Sequence, residues 1–248
     1  MRLFALALAM ILAGTAVTAR AGDDTFSPAQ KKAVEHIIRT YLVQHPEVLM
    51  DALNAARAKA KADTAHAAES AIQRDHAALY DDPDSEIGGN PRGDVTLIEF
   101  FDYRCPYCKE MQPSLEHLIE TNHHLRIIYK EFPILGPASI YAAKMALAAR
   151  PQGKYLAFHR AMMDTKGTIT DAVVRHVAAS VGIDVAKAET AMTSPAIAAV
   201  INKDYGLADA IGVQGTPAFV LDGKLIPGTV DLDSLTQLIA TARRDHAG

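Results

Sequence analysis

Val95-Thr96-Leu97-Ile98-Glu99-Phe100-Phe101-Asp102-Tyr103-Arg104-Cys105-Pro106-Tyr107-Cys108 decides the reading of this chain. The run from Val95 to Phe101 is β-branched, aliphatic or aromatic apart from Glu99, and reads as a buried strand. The cysteines follow closely, separated only by Pro106 and Tyr107, and a helix is expected from about Pro106 to Glu120. A second strand, Leu125-Arg126-Ile127-Ile128-Tyr129, completes a strand–helix–strand unit of a length that suits parallel pairing. The cysteine pair therefore sits where a strand gives way to a helix. Unpaired N–H groups and the helix dipole favour negative charge there, and the thiolate is the reactive form of cysteine. Cys105, at the helix mouth, is the expected attacking thiol. Cys108, one turn inside, is expected to resolve the mixed disulfide. Pro106 lacks an N–H and fits the first turn, and Tyr107 is expected at an exposed lip.

Other uses of two cysteines must be weighed. The chain has 248 residues and no further cysteine. A structural disulfide is open to an exported protein. Closing so small a loop restricts the unfolded chain little, and a chain of this size needs no staple. A structural zinc site takes four ligands. No second Cys-x-x-Cys exists, and His117, His123 and His124 fall late in the expected helix or beyond it. Two soft thiolates suit Cu(I) better.

The N-terminus reads as a secretory signal. Arg2 precedes an apolar run from Leu3 to Val17, and Ala19-Arg20-Ala21 fits a small-x-small cleavage pattern, so residues 1–21 are expected to be removed near Ala21. That run is short for a spanning helix of roughly 20 residues, although an uncleaved anchor is the other reading. Residues 22–80 read as a helical arm. Ser27-Pro28-Ala29-Gln30 offers a capping box with proline at the first position. Val34, Ile37, Ile38, Tyr41 and Leu42 then follow helical spacing up to Pro46. Leu49, Leu53, Ala56 and Ala60 continue on a second helix, and Ala58 to Ala71 is rich in alanine and charge. Its apolar stripe looks too thin to anchor it on a core, which leaves self-association, a helical spacer or a solvated helix.

Asp81-Asp82-Pro83-Asp84 and Gly88-Gly89-Asn90-Pro91 read as a linker over residues 81–92. Residues 93–248 then form one α/β domain. Its helical insertion spans about 137–210, with Thr170 and Ser194-Pro195 as helix starts. Ala218-Phe219-Val220-Leu221 is a strand, Asp222-Gly223 a hairpin turn, and Lys224-Leu225-Ile226 its partner. Asp231 caps a last helix expected to turn Leu232, Leu235, Leu238 and Ile239 inward. The net charge of −4 shows no basic footprint, so nucleic acid is not an expected partner.

Glu99 to Cys108 resembles the active-site strand of the bacterial Dsb oxidoreductases of the thioredoxin superfamily. Lys130-Glu131-Phe132-Pro133-Ile134-Leu135-Gly136 is similar to the segment that leads into their helical insertion, and Gly212-Val213-Gln214-Gly215-Thr216-Pro217-Ala218 to their cis-proline loop. The resemblance covers roughly residues 92–244. It implies a thioredoxin fold with an inserted helical subdomain and a redox-active Cys105–Cys108 disulfide. It also implies that Pro217 is cis and lies beside Cys105; an ordinary trans turn proline is the alternative. Thr216 stands where disulfide isomerases of the family carry threonine, and its hydroxyl would shift the redox balance of the thiols. Glu99 corresponds to an acid that relays the proton of the buried cysteine; a structurally paired carboxylate is its other reading.

With the arm, the chain resembles the suppressor-of-copper-sensitivity protein C family. This resemblance implies a homotrimer joined through residues about 30–80, a membrane thiol reductase as partner and a link to copper stress. The expected function is a periplasmic disulfide isomerase or reductase acting on misfolded or reduced exported proteins. The alternatives are a monomeric dithiol oxidase and a Cu(I)-binding carrier that uses the same thiols.

Overall fold

The computed structural model describes residues 26–246. The expected signal segment, residues 1–21, lies outside them. Among the described residues no helix is long and apolar enough to cross a membrane. The N-terminal elements are α1 (Pro28–Gln44), α2 (Pro46–Arg74) and α3 (His76–Tyr80). Ser27 closes a reciprocal capping box. Its hydroxyl accepts from Gln30 N at 3.3 Å, and Gln30 Oε1 accepts from Ser27 N at 2.8 Å. α1 buries none of its residues.

The chain divides into two compact units between Arg57 and Ala58, inside α2, and not in the stretch 81–92 read as a linker. The last turns of α2 belong to the second unit, with Ala68, Ala71 and Ile72 buried, as is Leu79 of α3. Thin as the stripe is, alanine carries so little bulk that the helix packs closely, and Ile72 and Leu79 fill the remaining space. The expected linker is also corrected by a strand, β1 (Glu86–Gly89). Its glycines read as a turn, yet they serve close approach. A Cβ on Gly88 would lie 3.0 Å from the Tyr129 ring, and one on Gly89, whose φ is +69°, 2.5 Å from the Leu125 carbonyl oxygen.

Among the described residues the sheet has five strands, in the order β1-β3-β2-β4-β5. β2 (Val95–Phe101) and β3 (Leu125–Glu131) are parallel and are joined by α4 (Pro106–Thr121). β4 (Ala218–Leu221) runs antiparallel to β2, and β5 (Lys224–Pro227) to β4. Asp222 and Gly223, with φ of 50° and 73°, make the tight hairpin turn. The insertion consists of α5 (Pro137–Ala149), α6 (Tyr155–Asp164), α7 (Asp171–Ser180), α8 (Val185–Met192) and α9 (Pro195–Ile211). α10 (Leu232–His246) closes the fold. It buries Leu235, Ile239 and Ala242, whereas Leu238, at the border of that stripe, is 40% exposed.

Strand alternation sends Leu97, Phe101, Leu125, Ile127, Tyr129 and Phe219 into a core shared with α4, α10 and the insertion. Ile98, Phe100, Ile128, Ala218 and Val220 face the other way, onto the end of α2, α3 and α9. Glu99 falls on the first face by this alternation and Lys130 on the second.

Candidate active site

Cys105 is the N-cap residue of α4, with Pro106 at its first position. Cys105 is 3% exposed and Cys108, within the first turn, is fully buried. Pro106 and Tyr107 are both exposed. Both cysteines are free thiols. The Thr216–Pro217 peptide bond is cis. Cys105 Sγ lies 3.1 Å from the Thr216 carbonyl oxygen, a contact that favours the protonated thiol. Donors outweigh it. Hydrogen bonding from the Cys108 thiol above all opposes the effect of burial. With help from the Thr216 hydroxyl and the backbone N–H groups of Cys108 and Tyr107, it brings the Cys105 thiol down to about 6. Cys108 goes the other way. Burial first, then its hydrogen bond to Cys105 and the nearby charge of Glu99, push its thiol far above the ordinary cysteine range.

Glu99 sits on β2 between Tyr129 of β3 and Phe219 of β4. It is 1% exposed, and its Oε2 has no hydrogen-bond partner. Burial, and to a lesser degree the charge of Cys105, raise its carboxyl to about 8. Such a group changes protonation in the pH range where the thiols react. The structure thus brings Cys105, Cys108, Thr216, Pro217 and Glu99 to one locus.

Three further groups hold that locus, and none was singled out from the sequence. Asp102 is buried and accepts from Arg104 N at 2.7 Å, Leu135 N at 2.9 Å and Ser139 Oγ at 2.8 Å. It thereby ties the cysteine loop to the start of α5. Tyr103 donates to Glu131 Oε1 at 3.2 Å, and Tyr155 of α6 donates to the same oxygen at 2.7 Å. His159 Nδ1 lies 3.4 Å from the Tyr103 hydroxyl. Burial raises the Glu131 carboxyl well above its usual range and lowers His159 to about 3. Lys109 Nζ donates to the carbonyls of Met162 at 2.6 Å, Met163 at 3.3 Å and Thr165 at 2.8 Å, capping the C-terminal end of α6. Among the described residues, no group of three or more His, Cys, Asp or Glu side chains could hold a metal ion.

Comparison with known proteins agrees with this geometry. A family model described as the DSBA-like thioredoxin domain matches residues 96–240, and one described as the copper resistance protein ScsC N-terminal domain matches residues 30–63. The solved structure of a thioredoxin-like oxidoreductase from Silicibacter pomeroyi is 41% identical, with a TM-score of 0.66, over 68% of this chain and 97% of that one. Proteus mirabilis ScsC in a transitional conformation is 30% identical, with a TM-score of 0.67, over 89% of this chain and 100% of that one. The Na(+)/H(+) antiporter NhaA 1 of Salinispora arenicola is 27% identical over 164 residues, and the chain spans only 25% of that protein's length. The chain belongs to the DSBA-like thioredoxin family of thiol–disulfide oxidoreductases, and it carries an N-terminal segment of the ScsC type.

Proposed function

We propose that this chain is a periplasmic disulfide isomerase or reductase that acts on misfolded exported proteins through Cys105 and Cys108. The observation that carries the reading is the asymmetry of the two thiols. One is lowered to about 6 at a helix mouth, and the other is buried near a carboxyl with one unpartnered oxygen. Cys105 thiolate attacks one sulfur of a wrong disulfide, a new S–S bond forms, and the other client sulfur leaves as thiolate. A client thiolate that then displaces Cys105 completes an isomerisation with no net redox change. When Cys108 displaces the client instead, the client leaves reduced and the enzyme keeps a Cys105–Cys108 disulfide. A membrane thiol reductase then supplies the two electrons that restore the dithiol. Cys108 must lose its proton for that step, and Glu99 is the group that takes it. Thr216 tunes the thiols, and cis Pro217 shapes the loop against which the client strand lies.

Isomerisation is favoured over oxidation by Thr216 and by the arm. Ile37, Ile38, Tyr41, Leu49 and Leu53 are between 41% and 64% exposed. Apolar helix faces of this kind drive self-association. Assembly into a homotrimer uses the arm of residues about 30–80, chiefly the part before Ala68. Light scattering of the intact chain should give a multiple of the monomer mass, and Ile37→Glu with Ile38→Glu should give the monomer. Reduced protein should restore native pairing in a scrambled multi-disulfide client, and Cys105→Ser should abolish this. Net oxidation of reduced clients without reshuffling would assign a dithiol oxidase instead.

A second reading is favoured by the match of residues 30–63 to a copper resistance protein domain. Two thiols in mutual hydrogen-bond reach make a soft two-sulfur donor set that fits Cu(I). Cys105 and Cys108 would hold it as cargo. Tight Cu(I) binding with no action on a scrambled client would favour a copper carrier.

A further inference from the structure

We infer that the groove beside Cys105 receives an acidic stretch of the client segment that carries the attacked disulfide, and that Arg104 is the specificity-determining residue. This rests on the oxidoreductase reading above and adds the chemistry of the preferred substrate. The groove has a volume of about 640 Å³ and runs between Pro106, Lys109 and Pro113 of α4 and the Thr165–Ile169 loop that follows α6. Pro106, the residue after the attacking thiol, lines it, so a client held at Cys105 passes over its mouth.

The charge of the groove runs against that of the chain. Its lining includes Arg104, Lys109 and Lys166 against Glu110 and Asp164, an excess of positive charge on a protein whose net charge is −4. The three cations are not equivalent. Lys109 is engaged by three carbonyls, so it contributes charge but offers its donors to the protein. Lys166 stands on an exposed loop. Arg104 is exposed and immediately precedes Cys105, and its Nη1 donates to the Leu135 carbonyl. Asp102 fixes both ends of that contact, because its carboxylate holds Arg104 N and Leu135 N. The guanidinium is therefore held at the Leu135 carbonyl, on the residue next to Cys105 in the chain, with N–H donors left over for a carboxylate.

Around it, Tyr107 is 57% exposed and Ile134, Leu135 and Ile140 are 39–40% exposed, which supplies apolar contact without direction. Such contact fits many unfolded segments. The fixed cation is what discriminates among them. An aspartate or glutamate next to the attacked cysteine is drawn towards Arg104, and a lysine there is repelled. At a partly exposed site this amounts to about a 5- to 10-fold preference, weakened by salt.

The test uses the intact, reduced protein and peptide disulfides that differ only in one residue beside the cysteine: Glu, Gln or Lys. The expected result is a Glu-to-Lys ratio in kcat/KM of about 5 to 10 at low ionic strength, falling at least twofold in about 0.5 M salt. Arg104→Gln should bring the ratio close to 1, and Arg104→Lys should keep most of it. A ratio near 1 in the native protein, or one that Arg104→Gln leaves in place, overturns the inference while peptide reduction itself continues. Should Arg104→Gln fail to fold, the ratio in the native protein and its salt dependence still decide. If none of the three peptides is reduced, the oxidoreductase reading fails, and the inference falls with it.

Discussion

The two faces of the sheet each bury an ionisable side chain from neighbouring strands, and they treat it in opposite ways. Lys130, fully buried on one face, donates to the Ala78 carbonyl at 3.0 Å and Asp82 at 2.8 Å, and lies 3.4 Å from Asp204. Lys203 adds a second cation at 2.6 Å from Asp82. Burial alone would raise the Asp82 carboxyl, but its hydrogen bonds to Lys130 and Lys203 override this and hold it well below the usual carboxylate range. Glu99, on the other face, has an oxygen with no partner and a carboxyl raised to about 8. A buried charge with a full set of partners is scaffold: it locks α3 and the stretch before β1 onto the sheet. A carboxyl with an unpartnered oxygen, near two thiols, is held ready to exchange a proton. Substitution should therefore move stability and activity in different directions on the two faces.

The largest effect is expected at Lys130. Lys130→Met leaves Asp82 and Asp204 without their shared cation and should lower stability by about 3–5 kcal/mol, read by denaturant unfolding. Thiol chemistry in the molecules that remain folded should change little. An unaltered unfolding midpoint would show that the cluster is not a lock.

Glu99→Gln should do the reverse. The folded carboxyl titrates at about 8, against an ordinary value of 4.5. The unfolded chain ionises first, so the native protein loses stability as pH rises from about 4.5 to 8 and then levels off. Glutamine escapes this loss. The variant should be more stable by roughly 1–3 kcal/mol near pH 7.5 and no different near pH 4. It should also release clients from Cys105 several-fold more slowly. Release at an unchanged rate between about pH 6 and pH 8 would remove Glu99 from the proton path.

The smallest effect falls between the two faces in character. Tyr103→Phe removes one of two hydroxyl donors to Glu131 and should cost about 1 kcal/mol, since Tyr155 still satisfies the same oxygen. A loss several times larger would mean that the Tyr103–Glu131–His159 cluster supports the cysteine loop far more than its bond count suggests.

Legibility in the sequence followed the range of the interactions. The strand at Val95–Phe101, the start of α4 at Pro106 and the turn at Asp222-Gly223 are written in neighbouring residues, and the fold builds them there. Glu99 stood out because an acid inside an apolar run is conspicuous by itself. Asp102, Lys109 and Glu131 carried no such signal. Tyr103 is 28 residues from Glu131 and 56 from His159, and Lys130 is 48 from Asp82, so their meaning exists only once the chain has folded. The same reason hid β1. Glycine serves both turns and tight packing, and only the positions of Tyr129 and Leu125 distinguish the two uses at Gly88 and Gly89.

Activation of Cys105 by its place in the fold is tested by a pH titration of the reduced, intact protein from about pH 4 to pH 9, followed by the ultraviolet absorbance of the thiolate. One thiolate should appear with a midpoint near pH 6, assigned to Cys105 by its absence in Cys105→Ser, while Cys108 stays protonated throughout. A midpoint near the ordinary cysteine value of about 8.5 would contradict this, because neither thiol would then be activated by its place in the fold.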